Sequence, residues 1–82
     1  MQITTKGNIM TKTLTVKLME LSRDRSDGTI FAKFALYYRG RLLKEFDGVD
    51  GIGLTNRIGR WSDKNEFSAI RWVCPAWYVP SA

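Results

Sequence analysis

The residues able to carry out chemistry are few, and their spacing narrows the choices further. The chain of 82 residues has no histidine, which removes the commonest general base near neutral pH and the commonest zinc ligand. Its single cysteine, Cys74, cannot hold a metal alone. As a nucleophile it would need an activating base, and neighbouring Arg71 supplies charge but no base. A free cysteine of this kind is expected to be a small buried packing residue. The carboxylates Glu45, Asp47 and Asp50 cluster around a glycine-bearing turn. An acid/base pair needs one member in an apolar setting that raises its pKa, and this stretch is polar. Capping and solubility account for these carboxylates, and the spaced oxygen ligands of a calcium loop are missing. Gly51-Ile52-Gly53 stands between a strand pattern and a helix pattern, as in a phosphate-binding turn. Asn56, however, occupies the place of the third glycine of a dinucleotide fingerprint. What remains of that motif is a helix N-terminus able to hold a lone anion. No catalytic, cofactor-binding or metal-ligating residue is assigned, and neither enzyme activity nor a cofactor is expected.

Aromatic and basic side chains are the material left for function. Tyr37, Tyr38, Trp61, Trp72, Trp77 and Tyr78 are many for so short a chain. Trp61 and Trp72 are expected to fill the core between helix and sheet. Trp77 and Tyr78, beyond Pro75, either clamp the domain or dock on a partner. Tyr37 falls on the less apolar side of its strand with Lys33 and Arg39, where it can stack a base or anchor a protein interface. The net charge of +5 is modest, and the acids Glu45, Asp47 and Asp50 separate Arg39, Arg41 and Lys44 from Arg57 and Arg60. The candidate partner-binding residues are Lys33, Tyr37, Arg39, Arg41, Lys44, Arg57 and Arg60.

These residues are positioned by elements that the hydrophobic pattern outlines. Residues 11–20 alternate, with Leu14, Val16 and Leu18 on one side and Thr13, Thr15 and Lys17 on the other, which predicts a half-buried strand. Residues 22–28 read as a charged loop. The run from Ile30 to Phe46 is the densest stretch of strand formers and folds back once at Gly40. Its apolar side, Ile30, Ala32, Phe34, Leu36 and Tyr38, should meet the core, and the strand should lie mid-sheet. A two-residue loop at Arg39-Gly40 would set Leu36 against Leu43. A three-residue loop would set Phe34 against Phe46 and Tyr38 against Leu42, and it pairs more apolar groups, so it is favoured. Asp47-Gly48-Val49-Asp50-Gly51 is expected to break the strand. Leu54, Ile58 and Trp61 then fall on one helical face, with Asp50 as N-cap and with Gly53 and Gly59 each costing about 1 kcal/mol relative to Ala. Residues 66–74 read as a strand through Ile70-Arg71-Trp72-Val73, or as a helix begun by an Asp63–Glu66 capping pair, with the strand favoured. Pro75 ends either.

The expected fold class is α+β: a small antiparallel sheet of three to four strands with one short helix packed on one face, in the order β-β-β-α-β. Residues 1–10 form a flexible leader or a short edge strand, with translation starting at Met1 or Met10. Residues 11–79 form one domain, and 80–82 a tail. Absence of an apolar leader, of paired cysteines and of any apolar run near the ~20 residues of a membrane span points to a cytoplasmic protein off the membrane. Two function classes follow. One is a small non-enzymatic module that occupies the surface of a larger protein or complex, of the inhibitor or adaptor kind frequent among phage and mobile-element accessory proteins. The alternative is a nucleic-acid-binding domain that uses a basic, aromatic sheet face.

Overall fold

The computed structural model describes residues 12–80. The expected leader at residues 1–10, Thr11 at the start of the first predicted strand, and the last two residues of the tail lie outside the described residues. Strand β1 (Thr13–Arg23), strand β2 (Ile30–Tyr38), strand β3 (Arg41–Val49), helix α1 (Ile52–Lys64) and strand β4 (Ala69–Val73) follow in sequence. This is the α+β class in β-β-β-α-β order. The sheet order is β3-β2-β1-β4. β1–β2 and β2–β3 pair antiparallel, whereas β4 joins β1 in parallel, so the sheet is mixed rather than wholly antiparallel. The helix is the reason. It carries the chain from β3 at one edge across the sheet, so that β4 enters in the direction of β1. No helix of the described residues is long and apolar enough to cross a membrane.

The core lies between one side of the sheet and α1. Leu14 and Val16 of β1, Ala32, Phe34 and Leu36 of β2, Leu54 and Ile58 of α1, and Phe67 form its buried cluster. The apolar side expected of β2 is therefore the core side, and β2 sits mid-sheet. Each fully buried large side chain contributes about 1.5–3 kcal/mol through the surface it hides from water. Phe34 is the largest of them and meets Trp72 edge-on at 5.6 Å and Tyr78 at 6.2 Å. Trp61 and Trp72 are half-buried at the margin of this cluster. Cys74 also packs at the margin, and burial pushes its thiol pKa up.

Both hairpins contain an extra residue. In β1 the register shifts between Leu18 and Glu20, leaving Met19 unpaired. That bulge resets the alternation, so Leu21 returns to the core side and the strand runs on to Arg23, beyond its expected end at Glu20. In β3 the pairs Tyr38–Arg41 and Tyr37–Leu42 require a two-residue turn, yet Phe34 pairs with Phe46. Leu43 is the residue that reconciles them. The favoured apolar pairing of Phe34 with Phe46 is present; the pairing of Tyr38 with Leu42 is not. The turn is tight because Arg39 (φ 54) and Gly40 (φ 78) both have positive φ, as a type I′ hairpin turn demands.

Two further expectations are corrected, and the disfavoured helical alternative for residues 66–74 gives way to strand β4. Asp47-Gly48-Val49 continues β3, with Gly48 opposite Ala32 and Val49 opposite Phe31. Asp50 is not the N-cap: Gly51 holds that position without a side-chain cap, and Asp50 accepts a hydrogen bond from Tyr78 instead. The Asp63–Glu66 pair does not open a helix but closes one. Glu66 (φ 67) is left-handed, its amide donates to the Asp63 carbonyl at 3.1 Å, and the Phe67 amide donates to the Ser62 carbonyl at 3.0 Å. This is a Schellman motif, and its customary apolar contact is the stack of Phe67 on Trp61 at 6.1 Å.

Candidate functional site

The seven residues marked from sequence fall into separate groups, because alternation along β2 and β3 sends neighbours to opposite sides of the sheet. Lys33 and Tyr37 lie on the open side, away from α1. Their cross-strand neighbours there are Glu20 and Asp47 for Lys33, and Thr15 and Leu42 for Tyr37. In register, the open side carries Lys17, Lys33 and Arg71 against Glu20, Glu45 and Asp47, so its charges cancel. Ala35 on this side is 0% exposed, closed in by its neighbours Lys17 and Glu45. A balanced surface of this kind has no electrostatic preference for a polyanion. The expectation that the open sheet face supplies the basic surface is corrected accordingly.

Arg39, Arg41 and Lys44 belong to the helix side. Arg41 pairs with Tyr38 and Lys44 with Leu36, both core-side residues. The Arg39 guanidinium leaves the turn on that side and lies 5.2 Å from the centre of the Tyr38 ring. Lys44 Nζ and the Arg57 guanidinium stand 5.4 and 5.6 Å from the centre of the Phe46 ring. A cation over an aromatic face within about 6 Å is attracted by the ring quadrupole, by roughly 0.5–1 kcal/mol at exposed sites. The rings are themselves linked: Tyr38 to Phe67 at 5.3 Å, Phe67 to Trp61 at 6.1 Å, and Trp61 to Phe46 at 6.5 Å. A line of rings thus runs along the helix side, with cations seated on it.

Two features build this line that sequence reading did not assign. Lys12 places its Nζ 4.4 Å from the Phe67 ring centre and 5.4 Å from that of Tyr38, and donates to the Asn65 carbonyl at 3.3 Å. There it also meets the negative end of α1. Alternation counted back from Leu14 places Lys12 on the core side, but its ring partner is set by a distant contact: the Lys12–Ser68 hydrogen bonds that align β1 with β4 bring it to Phe67. Gly48 is the second feature. A Cβ at this position would stand 3.2 Å from an Arg57 guanidinium nitrogen, so the missing side chain is what lets Arg57 lie against β3. Arg60, by contrast, lines a shallow depression with Thr55, Asn56, Gly59 and Asp63 and is not among the cations seated on the rings.

β3 therefore sorts its charges by side. Arg41 and Lys44 face the helix side, while Glu45 and Asp47, paired with Ala35 and Lys33, face the open side. Asp50 is occupied by Tyr78. The acids that divide the basic residues in sequence do not divide them in space. Among the described residues no three of Cys, Asp and Glu come together in a group able to hold a metal ion. Trp77 and Tyr78 part company: Tyr78 clamps the tail onto Phe34, and Trp77 is 70% exposed. No family model, curated protein or solved structure matches this chain.

Proposed function

We propose that the chain is a small, non-enzymatic binding module that acts by occupying the surface of a larger protein or complex, in the manner of an inhibitor or adaptor. Its contact surface is the row of Lys12, Arg39, Arg41, Lys44 and Arg57 on the helix side of the sheet. One observation carries this reading: Lys44 and Arg57 flank Phe46 while the two acids of the same strand face the other way. Cations held on rings lose less freedom on binding than free side chains, which cuts the ordering cost of an interface. The backbone points the same way. Arg39 adopts a left-handed conformation that Asn or Gly adopts more readily, and strain of this kind collects at functional positions. The complementary partner surface is rich in carboxylates. A cytoplasmic setting belongs to the same reading and rests on the lone, half-buried Cys74.

The second reading keeps the same row and gives it phosphates. The segregation of like charge favours it. The ring faces are already covered by the module's own cations, which leaves little for bases to stack on and favours the protein partner.

Affinity capture from the source-cell lysate decides. The wild type should retain a protein partner, and the Lys44→Ala/Arg57→Ala double variant should lose it with the fold intact. Lys33→Ala and Tyr37→Ala should retain it. Loss on the open-side changes alone would refute the placement. Binding to random duplex DNA that falls steeply with salt, without protein capture, would establish the phosphate reading instead.

A further inference from the structure

The opposite edge of the sheet carries a feature that the basic row does not use. β1 runs to Arg23, but β4 pairs only with Thr13–Lys17 before Pro75 turns the chain away. Among the described residues no strand lies against the outer edge of β1 from Met19 to Arg23. The edge opens beyond Lys17, the last β1 residue paired with β4. A strand edge left open in this way offers unpaired amides and carbonyls to any extended chain of suitable side chains.

A cavity of about 250 Å³ opens along this edge, lined by Leu18, Met19, Glu20, Leu21, Pro75 and Trp77. Of its lining residues only Glu20 carries a charge. Met19, set outward by the bulge, is 47% exposed, and Trp77 is 70% exposed. A bulge and flanking charges guard an edge against indiscriminate pairing. An exposed indole beside the same edge does not serve that purpose. Trp77 makes an edge-on contact with Tyr78 at 6.3 Å, and Tyr78 is fixed by Asp50, so the indole stands on a braced tail. Rigid, exposed tryptophan next to an apolar pocket is the chemistry of an interface anchor.

We infer that the β1 edge from Met19 to Arg23, with the Trp77 pocket, is a second docking site that takes an extended segment of another protein by strand addition. The segment alternates apolar and basic residues. An apolar side chain enters between Met19, Pro75 and Trp77, and a cation meets Glu20. Sheet order sets this site at the β1–β4 edge and the Lys44–Arg57 pair that carries the basic row at the β3 edge, so the module can hold two partners at once.

The test uses the full chain, isotope-labelled, and a short blocked peptide of alternating lysine and isoleucine. Its positive charge keeps it off the basic row. Amide shifts and slowed exchange are expected at Met19–Arg23 together with a shift of the Trp77 indole. A version of the peptide with proline at alternate positions cannot donate the backbone hydrogen bonds and should not bind. Trp77→Ala and Glu20→Lys, both at exposed side chains, should each weaken binding about tenfold. Shifts at Arg41–Val49 instead, equal binding of the proline peptide, or no shift at saturating peptide would overturn the inference. So would protection of the Met19–Arg23 amides that grows with protein concentration alone, because a second copy would then occupy the edge.

Discussion

The Tyr78 phenol donates to Asp50 Oδ1 at 2.5 Å, across 28 residues of sequence. The bond ties the tail to the junction of β3 and α1 and holds the Tyr78 ring against Phe34. Burial first, then the bond to Asp50 and its negative charge, raise the phenol pKa above the ordinary value of 10.0. A group whose pKa is raised on folding contributes stability that is complete below the unfolded-state value and is lost as pH climbs toward the folded-state value. Urea midpoints should therefore fall with rising pH above about 10. Tyr78→Phe should cost about 1.5 kcal/mol at neutral pH and flatten that alkaline decline. Parallel pH profiles for the two proteins would show that the phenol does not sense Asp50.

Arg39→Asn separates stability from binding. Asn-Gly suits a type I′ turn better than Arg39-Gly40, so the variant should gain about 0.5–1 kcal/mol while capturing less partner, because the guanidinium over Tyr38 is gone. Glu66→Gly is the matched control. Glycine suits the left-handed position that closes α1 and should stabilise by up to about 1 kcal/mol, with capture unchanged. An Arg39→Asn protein that is both more stable and fully competent would remove Arg39 from the contact surface.

Deletion of Leu43 should leave the fold intact. With it removed, Leu42 stays opposite Tyr37 and Lys44 stays opposite Leu36, so the pairing becomes regular without any side chain changing sides. The expected cost is within about 1 kcal/mol by chemical denaturation, because an exposed residue is lost and no cavity forms. Deletion of Asp47 in the same strand would send Gly48 to the wrong side and separate it from Arg57. Comparable stability of the two deletions would contradict the register.

The hairpin Ile30–Phe46, the helix on Leu54, Ile58 and Trp61, and the strand through Ile70–Val73 were all legible, because each rests on local period and β-branched or aromatic content. What stayed hidden depends on contacts between distant residues. The bulge at Leu43 satisfies two demands, a tight turn and the Phe34–Phe46 pairing, that local reading can only set against each other. Asp50 looked like a cap because it precedes a helix, but a tyrosine from the far end of the chain claims it. That Arg41 and Lys44, three residues apart, emerge on one side follows from that same bulge. Alternation counted through Leu43 without it puts basic and acidic residues on the wrong sides, and the basic row is invisible until the count is corrected.

With Arg41 and Lys44 leaving one side of β3 and Glu45 and Asp47 the other, the strand bears a charge couple across its own thickness. A carboxylate-rich partner within about 10 Å at 0.1 M salt feels that couple before any atoms touch. Such a partner would meet the module helix side first, because the charge-balanced open side offers it no attraction. Dilute salt should accordingly hasten encounter far more than it slows release, and the faster encounters should be those that arrive already facing the right way.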